Sequence, residues 1–248
     1  MRFFIDLSYK GAAYHGWQNQ PNATTVQEVL EHAISTLLGE AIKIVGAGRT
    51  DTGVHALQMI AHFNYDENID AEQLVYKLNA FLPPDISIQS VKQVNVEAHA
   101  RFDALSRAYK YYVHQKKDPF TIDSSYYFKP DLDIDKMNHA SNLLLGHKNF
   151  KCFSRTHTDV KTYNCDVKTA IWERNGDHLV FTIEADRFLR NMVRAIVGTM
   201  LEIGQGKMTV EEFQSVLDSQ DRSKAGPSAP AHGLFLTRID YPESKLMP

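Results

Sequence analysis

The sequence predicts an α+β protein made of two successive β-α-β-β-α-β units, with mainly antiparallel sheets flanked by helices. Three observations predict it. Period-two apolar alternation marks strands in both halves, and capped amphipathic stretches at helical spacing separate them in the same order twice. The chain has 248 residues, 43% hydrophobic and 23% charged, which suits two ordinary globular domains of about 120 residues each.

In the first half, Arg2 to Lys10 places Phe3, Ile5, Leu7 and Tyr9 on one face of a strand. Thr25 and Glu28 stand at capping-box spacing before an apolar stripe of Val26, Val29, Leu30, Ala33, Ile34, Leu37 and Leu38, which Gly39 is placed to end. Ala41 to Val45 and Leu57 to Phe63 read as strands, and Asp70 to Phe81 as a helix stopped by Pro83 and Pro84. Ile86 to Val96 returns as a strand. In the second half, Ala108 to Gln115 is an aromatic strand, and Asp133 to Leu145 is a helix ended by Gly146. Lys161 to Arg174 and His178 to Glu184 form a hairpin around Asn175-Gly176. A helix follows over Phe188 to Ile203, and a shorter one over Thr209 to Leu217 with its own Thr209/Glu212 capping box. Arg222 to Gly233 is a loop, and Leu234 to Ile239 closes as a strand. This order is that of ferredoxin-like or RRM-like units, one in a domain over residues 1–104 and one over residues 105–248. No residue-level repeat accompanies it, so the duplication is one of architecture.

No apolar stretch approaches the roughly 20 residues that span a bilayer, and the opening MRFFIDLSYK has no signal-peptide pattern. Two cysteines cannot build a disulfide framework, so the expected compartment is a reducing cytoplasm. The net charge of −3 excludes a histone-like polycation but hides an asymmetry. Residues 1–105 carry 7 basic and 12 acidic groups, whereas residues 106–248 carry 20 and 18. The second half includes acid-free basic windows at Ser106 to Lys117 and Arg187 to Met200.

The densest chemistry lies in Ile44 to Ala56, where three glycines follow a strand. The dinucleotide fingerprint fails because Asp51 stands where its third glycine is required. The P-loop fails because Val54 and His55 replace its Lys and Ser/Thr. What remains is Arg49-Thr50-Asp51 in a glycine-framed loop able to present one side chain to a bulky substrate. Asp51 could serve there as a nucleophile or general base, or could simply close an Asx-type turn.

Arg187, Arg190 and Arg194 fall within about 60° of one another on the predicted helix, away from its apolar face. Like charges at that spacing disfavour a helix, so the stripe suggests anionic partners, against the plainer alternative of a solvated basic face. Arg107-Ala108-Tyr109-Lys110-Tyr111-Tyr112 interleaves cations and rings, a pattern suited to stacking bases and binding phosphates or to one buried aromatic face. His147, Cys152, His157 and Cys165 lack zinc-ligand spacing, and Ser154 near His157 has no visible third partner for a triad.

Together these segments resemble the tRNA pseudouridine synthase A (TruA) family. The resemblance runs in order along essentially the whole chain. It rests on Gly48-Arg49-Thr50-Asp51-Thr52-Gly53-Val54-His55, on Tyr14-His15-Gly16-Trp17-Gln18-Asn19-Gln20, and on His99-Ala100-Arg101-Phe102-Asp103-Ala104. Arg107 to Tyr111, Phe188 to Arg194 and Ala229-Pro230-Ala231-His232-Gly233-Leu234 complete it. The resemblance implies isomerisation of uridines to pseudouridine at positions 38, 39 and 40 in the anticodon stem-loop of tRNA, in a cleft between the two units. It implies that Asp51 is the catalytic aspartate, that Tyr109 stacks on the target uracil, and that Arg194 pairs with Asp51. Arg49 would hold the flipped base, while Arg187, Arg190, Arg107 and Lys110 would offer phosphate contacts. It further implies a homodimer with tRNA as partner, and no metal or organic cofactor. Two rivals remain: a non-catalytic RNA-binding protein, and a nucleoside glycosidase, which would need a second placed carboxylate. A related synthase acting at other tRNA positions is a variant of the first reading.

Overall fold

The computed structural model describes residues 1–155 and 160–247. The chain forms two compact units, Met1–Ser106 with Phe235–Pro248, and Arg107–Leu234.

The first unit begins with strand β1 (Arg2–Tyr9), helix α1 (Val26–Leu38), strands β2 (Val45–Gly46) and β3 (His55–Asn64), helix α2 (Ala71–Phe81) and strand β4 (Ile86–Val94). The strands pair antiparallel in the order β4-β1-β3-β2, with Ile5 opposite Val91 on one side and Ala61 on the other. Phe3, Ile5 and Leu7 are buried, as are Leu30 and Ile34 of α1 and Leu78 of α2, so the alternation read from the sequence marks the core face. Both helices start as their sequences predict: the Thr25 side chain accepts from the Glu28 amide, and that of Asp70 from the Gln73 amide. Gly39 ends α1 in the left-handed region at φ 76°.

The strand expected over Ala41 to Val45 shrinks to two residues. Its backbone groups are taken by side chains of α1: Ser35 Oγ accepts from the Ile42 amide at 2.8 Å, and Glu31 Oε1 accepts from the Ile44 amide at 3.1 Å. A segment satisfied in this way has fewer groups left for a ladder.

The second unit holds strands β5 (Ser106–His114) and β6 (Tyr126–Tyr127), helix α3 (Ile134–Gly146), strands β7 (Val167–Asn175) and β8 (His178–Ala185), and helices α4 (Met192–Gly204) and α5 (Val210–Ser219). β8 pairs antiparallel with both β5 and β7, and β6 runs parallel beside β5. The predicted hairpin forms, with Gly176 at φ 60°, and the α5 capping box is complete. Trp172 and Phe181 stack at 5.0 Å in a core with Tyr111, Phe150 and Phe213. β7 starts later than predicted because the preceding residues bond elsewhere. Phe150 and Cys165 donate backbone N–H groups to the Tyr163 and Lys148 carbonyls.

Helix α4 also starts later than the predicted Phe188. Asn191 is left-handed at φ 67°, which breaks the helical run before Met192. Arg187 and Arg190 therefore precede the helix, and of the three arginines only Arg194 lies on it. The predicted helical stripe is thus a turn followed by a helix.

The chain ends with strand β9 (Leu234–Asp240) and the short helix α6 (Glu243–Leu246). Residues 235–248, expected with the second half, group with the first unit. Phe235 and Leu236 pair parallel with His55 and Ala56 of β3, and the Ile239 amide donates to Gln58 Oε1 at 3.0 Å.

Candidate active site

Asp51 sits on the loop between β2 and β3, and the first unit holds that loop from both sides. The Asp51 residue is half-exposed, whereas Thr50 before it and Val54 after it are buried. Thr50 is fixed twice: its hydroxyl shares a 2.8 Å hydrogen bond with that of Tyr9, and its carbonyl accepts from the Trp17 amide at 3.2 Å. On the far side, the Val54 amide donates to the Asp51 carbonyl at 3.1 Å, closing a tight turn. The Gly11 amide donates to His55 Nδ1 at 3.0 Å, and the His55 ring stacks on Phe235 at 4.5 Å.

Two glycines make this clamp possible by letting backbone meet backbone. Gly16 has φ 86°, and a Cβ there would run into the Thr50 carbonyl oxygen. A Cβ on Gly11 would likewise collide with the Val54 carbonyl oxygen. The Tyr14-to-Gln20 segment therefore forms part of the seat of the Asp51 loop. Deeper still, the Glu31 carboxylate is only 6% exposed and gathers four donors: Asn19 Nδ2, Gln27 Nε2, Lys43 Nζ and the Ile44 amide. Four donors satisfy a charge that burial would otherwise make costly. Arg49 is exposed on the same loop.

The remaining candidates lie in the second unit. Tyr109 is half-exposed on β5, opposite Ile183, and Phe188 meets its ring edge-to-face at 5.1 Å and 86°. Lys110, also half-exposed, is opposite Thr182. Arg107 donates through Nη1 to the Asp186 carbonyl at 2.8 Å, and Arg187 to the Thr162 carbonyl at 3.3 Å, so both bind backbone within their own unit. Arg190 is exposed.

Arg194 is anchored. Its Nε donates to the Ala229 carbonyl at 2.7 Å, while its own carbonyl accepts from the Ala229 amide at 2.9 Å. The loop that supplies Ala229 is itself tied down. Ser228 Oγ accepts from Asn191 Nδ2 at 2.6 Å and from Arg222 at 3.1 Å, and Tyr111 donates its hydroxyl to the Pro230 carbonyl at 2.8 Å. Burial holds the Tyr111 phenol well above its ordinary range, so it acts as a neutral donor.

Among the described residues, no three His, Cys, Asp or Glu side chains stand together as metal ligands. Cys152 and Cys165 are buried and free, and His147 Nε2 bonds the Asn149 carbonyl at 2.8 Å. His157, which figured in the zinc and triad alternatives, lies outside the described residues. No helix among them is long and apolar enough to cross a membrane. The sequence places Tyr9 only on a strand face and assigns no role to Gly11 or Glu31. For Glu31 a signal existed: a carboxylate one turn after Gln27, beside a core leucine.

A family model described as tRNA pseudouridine synthase matches residues 7–103 and 140–242. The tRNA pseudouridine synthase A of Bacteroides thetaiotaomicron is 53% identical over 245 residues, covering 98% of this chain and 91% of its own length. That of Parabacteroides distasonis is 53% identical over 243 residues, covering 98% and 96%. The more distant tRNA pseudouridine synthase A of a Thermoanaerobacter species is 42% identical over 244 residues, covering 96% and 98%.

Proposed function

The chain belongs to the tRNA pseudouridine synthase family, and from that premise we propose that it isomerises uridines 38, 39 and 40 of the tRNA anticodon stem-loop with Asp51 as its nucleophile. The enzyme class is an isomerase acting on uridine in tRNA. The observation that carries the proposal is a half-exposed carboxylate on a loop whose flanking residues, Thr50 and Val54, are both buried.

The chemistry fits that arrangement. The C1′–N1 bond must break, the uracil must turn, and a C1′–C5 bond must form; the C5 proton leaves and N1 is protonated. An ionised carboxylate attacks either C1′ of the ribose or C6 of the base and is released when the new bond is complete. Nothing is oxidised, reduced or hydrolysed. The freed uracil must rotate without escaping, which suits an aromatic face better than fixed hydrogen bonds. We assign that face to Tyr109, whose ring Phe188 braces, and give its hydroxyl the role of handling the C5 proton. Arg194 is assigned to keeping Asp51 ionised, and Arg49 to holding the base out of its stack, a step costing a few kcal/mol. Arg187, Arg190, Arg107 and Lys110 are assigned to the phosphates, with affinity that falls as salt rises.

The proposal includes a homodimer acting on tRNA in the cytoplasm. It also treats the two units as elaborated ferredoxin-like folds, supported in the first by the antiparallel order β4-β1-β3-β2. The test is pseudouridine formation on unmodified tRNA, mapped by position. Asp51→Asn, shown to fold, should lose turnover by several orders of magnitude while still binding tRNA. Near-normal turnover sinks the nucleophile role, and product at other uridines moves the substrate assignment. Intact RNA binding by the parent protein with no isomerisation would favour a non-catalytic binder.

A further inference from the structure

We propose that Tyr9 is a positioning residue for Asp51, acting through the Thr50 hydroxyl; the inference rests on the reading of Asp51 given above. Covalent attack requires the reacting atoms to come within about 3–3.5 Å in the right orientation, and a displacement near 1 Å can cost a hundredfold. A surface loop does not supply such precision by itself. Tyr9 lies on β1, the strand that pairs with both β3 and β4, and is only 4% exposed. Its hydroxyl and that of Thr50 satisfy each other at 2.8 Å in a buried setting. The same ring lies 6.1 Å from that of Trp17, whose amide holds the Thr50 carbonyl. The residue next to the carboxylate is thus fixed at its side chain to β1 and at its carbonyl to the Trp17 amide.

An ordinary packing role makes a different prediction. A bond that merely supports the fold would lower the melting temperature when removed and leave the chemical step intact. A positioning bond slows the chemical step and leaves substrate affinity alone.

The experiment measures single-turnover pseudouridine formation on unmodified tRNA with enzyme in excess, together with tRNA affinity and melting. Tyr9→Phe and Thr50→Val should each slow the step about tenfold or more, with tRNA affinity within twofold of the parent. The double variant should be no slower than either single one, because both remove the same bond. Thr50→Ser, which keeps the hydroxyl, should recover most of the rate. A folded Tyr9→Phe whose single-turnover rate stays within twofold of the parent overturns the proposal. Loss of folding in both single variants overturns it too, since the bond would then be structural. Asp51→Asn run in parallel separates the two claims. If it stays active, the reading of Asp51 fails; if it is dead while Tyr9→Phe is fully active, only the role of Tyr9 fails.

Discussion

Acidification should destabilise the first unit through His62, and the effect can be sized. His62 lies on β3 and is 6% exposed, and its Nδ1 accepts the Ala100 amide at 3.1 Å. That bond requires an unprotonated nitrogen. Burial, reinforced by the nearby Arg2 and His99 charges and opposed by Asp103, pushes the imidazole down from 6.5 to about 4. Because the folded value is depressed, the unfolded chain binds the proton more readily between those limits. The contribution of His62 is thus complete above about pH 6.5 and is lost as pH falls toward 4. Between pH 7.5 and 5 the full shift corresponds to about 2 kcal/mol, which solvent screening at the edge of the site reduces to about 1–2 kcal/mol. For a chain of this length that is a difference of about 2–8 °C in melting temperature. The assay compares the parent with His62→Gln, which keeps an acceptor for Ala100 without titrating, by thermal melts at both pH values. The parent should lose more stability than the variant on acidification, by that margin. Parallel losses would refute the reasoning.

Two further outcomes follow from burial and capping. Cys152 and Cys165 are 0% and 2% exposed, and burial pushes each thiol up to about 12. A disulfide reagent at pH 8 should leave both unmodified in the native protein and titrate two thiols in denaturant; rapid native labelling would contradict the packing. At α5, Thr209→Ala removes the acceptor for the Glu212 amide and half of the capping box. It should cost about 1 kcal/mol in denaturant unfolding with little change in activity, and an unchanged midpoint would refute the assignment.

What was legible in the sequence was what local chemistry decides. The alternation in β1, the caps of α1 and α5 and the Asn175-Gly176 turn depend on near neighbours, and the structure has them where their residues predict. What was not legible depends on partners distant in sequence or on unusual backbone. The Ala41 to Val45 strand was lost to acceptors on Ser35 and Glu31. The helix expected from Phe188 was cut short by a left-handed Asn191, a conformation that side-chain periodicity does not reveal. The late segment Phe235 to Pro248 joined the first unit because β9 pairs with β3, a contact some 180 residues apart in sequence that no local pattern encodes.

The site residues divide in the same way. Asp51 stood out because its loop is dense in glycine, and Tyr109 because rings and cations alternate around it. Of the residues that hold the candidates still, Gly16, Trp17, Asn191 and Ala229 stand in separate motifs of the sequence, and Gly11 stands in none. In the first unit, Gly11, Gly16 and Trp17 grip the backbone on both sides of Asp51. In the second, Asn191 from one motif reaches Ser228 beside the other, and Ala229 binds Arg194 in both directions. Each pair of motifs is therefore one local clamp split across the sequence: one part carries the candidate side chain, and the other fixes its backbone or its guanidinium. This accounts for the glycine at position 16, where a side chain would meet the Thr50 carbonyl. It also gives these segments a part in the proposed site through their backbone: they limit the motion of the candidate groups, and orientation of that kind supplies a large part of a catalysed rate.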